Sequence, residues 1–189
     1  MSADKESLIL YITDERLRPE LTILLDELNQ PNREYREPYG LPDLIHLSPA
    51  PLRRQLGASL EDLANLHRSW VADVEISSTT NENASLFIVA DEATLADAPS
   101  RSVQIVHMSP DNPTELETIR SSVNRAVGVY TAIDGGQQGW GDFMYSAQSH
   151  GGRLSPFEED IEDGPAASVD QPPGEIKTMK LPVLQRPTE

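Results

Sequence analysis

Two short runs of almost unbroken apolar residues stand at the middle of the chain, Leu86–Ala90 (LFIVA) and Val103–Val106 (VQIV). Runs this short and this rich in β-branched residues suit strands buried on both faces, as in a sheet covered by helices. Ser7–Thr13 (SLILYIT) reads the same way as a first strand, and Arg125–Ile133 (RAVGVYTAI) as a fourth. Between them lie stretches of helical spacing. Leu17, Leu21, Leu24 and Leu28, with Leu25 widening the stripe, predict a helix from about Pro19 to Asn29, with Pro19 at a first helical position. Ser59 followed by Asp62 forms a capping box before Leu60, Leu63 and Leu66, so a second helix runs on towards Trp70. Thr114 and Glu117 form another box, and Leu116, Ile119 and Val123 predict a third helix. Asp142 opens a last short one, with Trp140, Phe143 and Ala147 on one face. Apolar runs alternating with helical segments predict a three-layer α/β sandwich. Its sheet should be mostly parallel and hold about four to five strands, including the runs at 8–13, 86–90, 103–107 and 126–133.

Breaks in this pattern set the organisation. Residues 30–51 carry Pro31, Pro38, Pro42, Pro49 and Pro51 with Gly40, a density that predicts an ordered loop or insertion. A short helical piece, Leu52–Leu56, follows. Val74 and Ile76 alternate with polar residues, which allows an edge strand with its turn at Asn81–Asn83. From about Gly151 periodicity fades and acids and prolines accumulate. That divides the chain into an α/β domain over 5–150 and a flexible acidic tail over 151–189, expected to be disordered alone. In the tail, Phe157 and Ile161 sit among Glu158, Glu159, Asp160, Glu162 and Asp163, the mixture of a short interaction motif, with Ser155 beside them as a candidate phosphorylation site. Leu181, Val183 and Leu184 form a late apolar run. These residues are the candidate contacts for a protein partner or for self-association; the plainer alternative is a tail that serves only solubility.

Four segments carry a resemblance. They are the opening strand ending in Thr13–Asp14, the helix start Gly57-Ala-Ser-Leu-Glu-Asp-Leu63, the central LFIVADEATL with its partner strand, and Trp140-Gly-Asp-Phe143. Over roughly residues 7–147 the chain resembles, in outline, a family of domains of unknown function found in actinobacteria and fungi. The resemblance implies the α/β fold and brings no activity or site residue with it. The chain departs from that family at 30–51, at 71–83 and throughout the tail.

Charge and composition then narrow the chemistry. The net charge of −16 opposes binding to nucleic acid or to an anionic membrane surface. No segment has the length of a membrane span, and the N-terminal apolar run is too short for a signal peptide, so a cytoplasmic or nuclear protein is expected, not a secreted one. The chain has no cysteine, hence no thiolate nucleophile or thiolate metal site. Its lysines are Lys5, Lys177 and Lys180, so the span between residues 6 and 176 has none to serve a phosphate loop or a Schiff base. The glycine-rich loop Asp134–Gly141 lacks phosphate-loop spacing and is flanked by acids. The four histidines show no zinc spacing.

Candidate chemistry is left at the strand ends, where open parallel sheets bind their ligands. There the sequence places Asp14, Asp91, His107 and Asp134 as candidate catalytic residues. The three aspartates are also candidate ligands for a hard cation such as Mg²⁺. The structural alternative is that each aspartate caps a helix, a role that selects the same residue type. The preferred reading is a non-catalytic binding or protein-interaction module without a cofactor. A small metal-dependent enzyme is the alternative, and convergence of the three aspartates is what separates the two.

Overall fold

A computed structural model describes residues 8–73, 84–96, 101–109, 112 and 114–154. The chain divides into two units, Met1–Glu158 and Glu159–Glu189, and the second lies wholly outside the described residues. Five strands, β1 (Leu8–Ile12), β2 (Ile45–Leu47), β3 (Leu86–Ala90), β4 (Ser102–Met108) and β5 (Leu116–Ser122), form one sheet in the order β2-β1-β3-β4-β5. The helices are α1 (Leu21–Arg36), α2 (Leu60–Asp73), α3 (Val123–Asp134) and α4 (Trp140–Gln148). β1 pairs in parallel with β2 and β3, while β3–β4 and β4–β5 are antiparallel. The sheet is therefore mixed, not mostly parallel.

Period-two alternation in β1 and β3 splits the core in two. Leu8, Leu10, Ile12, Leu86, Ile88 and Ala90 join Leu24 and Leu28 of α1, Val127 and Tyr130 of α3 and Phe143 of α4 on one face. Ile9, Tyr11, Phe87 and Val89 meet Leu63, Ala64 and Trp70 of α2 on the other. Both central strands are buried throughout, as unbroken apolar runs require. On the α2 face Tyr11 sits edge-on to Phe87 with ring centroids 5.3 Å apart, and its hydroxyl lies 3.3 Å from Nδ1 of the fully buried His67. Burial holds the Tyr11 phenol well above its usual range, partly offset by the Ser48 hydroxyl.

Two buried amides finish the sheet where strands are missing. β2 is an edge strand of three residues, and its outward peptide at Ile45 is paired by one side chain. Ile45 N donates to Asn29 Oδ1 at 2.9 Å, and Asn29 Nδ2 donates to Ile45 O at 3.0 Å. Where β2 has ended, Ile12 N donates to Gln55 Oε1 at 3.0 Å, and Gln55 Nε2 donates to Ala50 O at 2.6 Å. Each amide has the donor and acceptor a neighbouring strand would supply, so it satisfies backbone groups that would otherwise be buried unpaired.

Several expectations change. The apolar run at 126–133 is not a strand but most of α3, and the segment expected as the third helix is strand β5. Short buried runs carry both periods: Val123, Ala126, Val127 and Tyr130 recur at helical spacing, while Ile119 and Ser121 face inward from a half-polar strand. Pro19 lies in a 3-10 turn over Glu15–Glu20, and α1 begins at Leu21. α1 does not stop near Asn29 but continues through Pro31 to Arg36, and β2 lies inside the segment expected as a loop. The second half of α1 is tied down by Asn29 on Ile45, by Arg33 forked onto Asp43 at 3.0 Å and 3.0 Å, and by Arg36 Nε on Pro42 O at 2.7 Å. These contacts outweigh the one helical hydrogen bond that a proline removes. The helix capped by Ser59 and Asp62 is as expected, and the last helix forms with Trp140, Phe143 and Ala147 buried, but it opens at Trp140, with Asp142 in its first turn accepting from Gly139 N. The proposed edge strand at Val74 and Ile76 and the tail segments containing Phe157, Ile161, Leu181, Val183 and Leu184 lie outside the described residues. The described chain ends within the fold: Leu154 is buried, and its N–H donates to Arg120 O at the β5 edge at 2.8 Å.

Candidate functional site

β1 has β2 on one side and β3 on the other. The β1–β2 connection runs through α1 on one face, and the β2–β3 connection through α2 on the opposite face. The carboxyl ends of β1 and β3 are therefore a topological switch point, where an open α/β sheet leaves a crevice. Thr13 closes its floor: its N–H donates to Ala90 O at 2.9 Å, and its carbonyl accepts from Gly57 N at 2.9 Å. Asp14 and Asp91 follow β1 and β3 and are brought to this rim side by side.

Neither carboxylate is free. Asp14 caps the 3-10 turn after β1, accepting from Arg16 N at 2.9 Å, and also binds the Arg16 guanidinium at 2.6 Å. That guanidinium holds the Asp14 carboxyl below the usual carboxylate range and reaches across to Glu92 at 3.3 Å. Asp91 caps the turn after β3, accepting from Ala93 N at 3.0 Å, while its own N–H donates to Thr94 Oγ1 at 3.1 Å. Both Asp91 oxygens are then forked by Arg120 of β5, at 3.1 Å and 2.5 Å. A third cluster completes the rim. Arg101, just before β4, donates to Glu20 at 2.5 Å, to Glu27 of α1 at 3.2 Å and to Ala96 O at 3.3 Å. The strand ends thus carry three arginine–carboxylate clusters; Arg16 and Arg120 each fork one aspartate, and Arg101 bridges two glutamates.

His107 and Asp134 are not at this rim. Because β4 runs antiparallel, His107 lies opposite Leu86, at the amino end of β3. There it stacks on Trp140 at 4.9 Å between centroids, with Nδ1 3.3 Å from Glu117 Oε2. Asp134 is the exposed last residue of α3, not a strand end. Among the described residues no group of three or more His, Asp and Glu side chains is placed to hold a metal ion. A cleft of about 390 Å³ opens beside the crevice against α2, lined by Arg54, Gly57, Ala58, Asp62, Asn65 and Ser69.

Sequence reasoning found Asp14 and Asp91 but missed their partners Arg16 and Arg120, the Arg101 cluster, and Asn29 and Gln55. One signal was present: from residue 6 to 176 every strongly basic residue is an arginine. That usage fits cations chosen for forked, partly buried pairing over solvated charge. No protein-family model, no curated protein and no solved structure matches the chain.

Proposed function

We propose that the chain is a non-catalytic binding or protein-interaction module, not an enzyme working through its strand-end carboxylates. Asp91 carries the reading. Its oxygens serve Arg120 and Ala93 N, so a cation would have to displace a bidentate guanidinium and a cap to coordinate it. Asp14 is committed in the same way to Arg16. Removing Asp91 would leave the part-buried Arg120 guanidinium without its carboxylate, so that pair favours a fixed rim over an open ligand set. The family resemblance belongs to the same proposal, since three of its four segments, Thr13–Asp14, Gly57–Leu63 and Leu86–Leu95, meet at the crevice floor. The tail residues Phe157, Ile161, Leu181, Val183 and Leu184 are proposed as further contacts. No helix among the described residues is long and apolar enough to cross a membrane.

A cation titration separates this reading from a metal-dependent enzyme. A ligand that binds only the folded state raises the melting temperature, by about 2.7 kcal/mol of added stability at a hundred times its Kd. Mg²⁺ or Mn²⁺ at millimolar concentration should leave the melting temperature of the full chain unchanged. A rise that Asp91→Asn removes would establish the metal site and overturn the module reading.

A further inference from the structure

We propose that the ledge formed by Tyr35, Tyr39 and Leu41 is a docking surface for a cationic protein segment, one presenting arginine or lysine beside apolar side chains. The proposal rests on the interaction-module reading and names a surface apart from the crevice and the tail.

The ledge starts as a core stripe that outruns its sheet. Leu24 and Leu28 of α1 are fully buried, and Tyr35 lies two turns beyond Leu28 on the same side of the helix. At that point β2, the last strand, offers nothing more to cover it, and Tyr35 is 73% exposed. The backbone continues from α1 into a 3-10 turn over Glu37–Tyr39, which puts Tyr39 about one turn further along on that side, 79% exposed. Leu41, 45% exposed, follows after the chain reverses at Gly40, whose φ of 67° is the left-handed conformation glycine adopts freely.

The hook that carries these side chains is held firmly. Leu41 N donates to Arg36 O at 3.1 Å and Gly40 N to Glu37 O at 2.9 Å. Arg36 is tied to Pro42 O, and Arg33 to Asp43 and Asp26. Large aromatic groups carried in solvent on a held backbone lose little backbone entropy on binding, which favours them as interface anchors.

Charge selects the occupant. Glu34 and Glu37 flank the tyrosines, are exposed, and have no side-chain partner among the described residues. Arg33, by contrast, is spent on Asp26 and Asp43. Tyrosine faces beside free carboxylates attract guanidinium and ammonium groups through ring quadrupole and ion pairing together. A second copy of the chain is disfavoured, because each carries a net charge of −16.

The test is titration of the nitrogen-15-labelled full chain with a peptide of about ten alternating arginine and leucine residues, at about 20 mM and about 300 mM NaCl. Amide shifts should cluster at Arg33–Leu41. Tyr35→Ala with Tyr39→Ala should weaken binding about tenfold or more without moving the melting temperature, since both side chains are exposed. Glu34→Gln with Glu37→Gln should flatten the salt dependence. Shifts confined to the acidic cluster Glu158–Asp163, with affinity unchanged in the tyrosine variant, would overturn the proposal. So would a self-association, seen by sedimentation without peptide, that the tyrosine variant abolishes. Either result removes this surface alone, because the module reading stands or falls on the cation titration, which these variants do not touch.

Discussion

Asn29 joins the most structure with the fewest atoms. Its amide is almost fully buried and makes three hydrogen bonds: Nδ2 to Leu25 O and to Ile45 O, and Oδ1 from Ile45 N. One side chain thereby fixes α1 to the edge strand and pairs the outward backbone groups of Ile45, which would otherwise invite pairing with another chain. Asn29→Ala leaves the Ile45 N–H and C=O buried without partners, each costing about 1–3 kcal/mol. A loss of about 2–4 kcal/mol is expected in urea denaturation, partly relieved if the cavity admits water. Asn29→Asp keeps the acceptor for Ile45 N but removes both donors, so it should be no milder. A loss under about 0.5 kcal/mol for Asn29→Ala would show that the edge is satisfied some other way. Asparagine in an apolar helical stripe is visible in the sequence, but its partner lies sixteen positions away inside a proline-rich segment. Periodicity does not register such a pairing.

At the level of elements, the sequence and the structure part company where one segment carries two periods. Leu8–Ile12, Leu86–Ala90 and Ser102–Met108 were legible as strands because both faces are buried and no helical stripe competes. The α2 and α4 segments were legible because a cap or an aromatic face marks each one. The exchange of β5 and α3 came from the same stretch, in which Leu116, Ile119 and Val123 match a helical spacing that the chain does not use. The candidate site was misplaced as well: with β4 antiparallel to β3, His107 falls at the far end of the sheet, and Asp134 ends helix α3. Strand direction depends on connections, and connections are the part that patterning leaves open. Gly128 tests the corrected assignment directly. It sits mid-helix in α3 with a negative φ, and an added Cβ would meet no atom within 4 Å. Gly128→Ala should therefore stabilise the protein by about 0.5–1 kcal/mol, through helix propensity and a less flexible unfolded chain. Thermal denaturation reads this, and a clear loss of stability would argue against a helix at that position.

For the whole molecule, the question is where folding ends and the tail begins. Composition changes at Gly151, yet the fold reaches further. Gly152 O accepts from Arg120 N at 2.9 Å, Leu154 N donates to Arg120 O at 2.8 Å, and Leu154 is buried in the core cluster with α1, α3 and α4. These bonds lie in parallel along the β5 edge. Continuing that ladder by one step would call for an N–H from residue 156, which is Pro156 and has none. A chain ending at Ser155 should melt at the same temperature as the full protein, because it keeps every described contact. A chain ending at Gly152 should be weaker by about 2–4 kcal/mol, since it gives up the Leu154 side chain and the hydrogen bond to Arg120 O. The pair of truncations is read by thermal denaturation and by sedimentation. If the tail contacts partners or other copies, the Ser155 truncation loses that association while its melting temperature holds. A lowered melting temperature in the Ser155 truncation would make residues beyond 155 part of the fold and remove the tail from the proposed interaction surface.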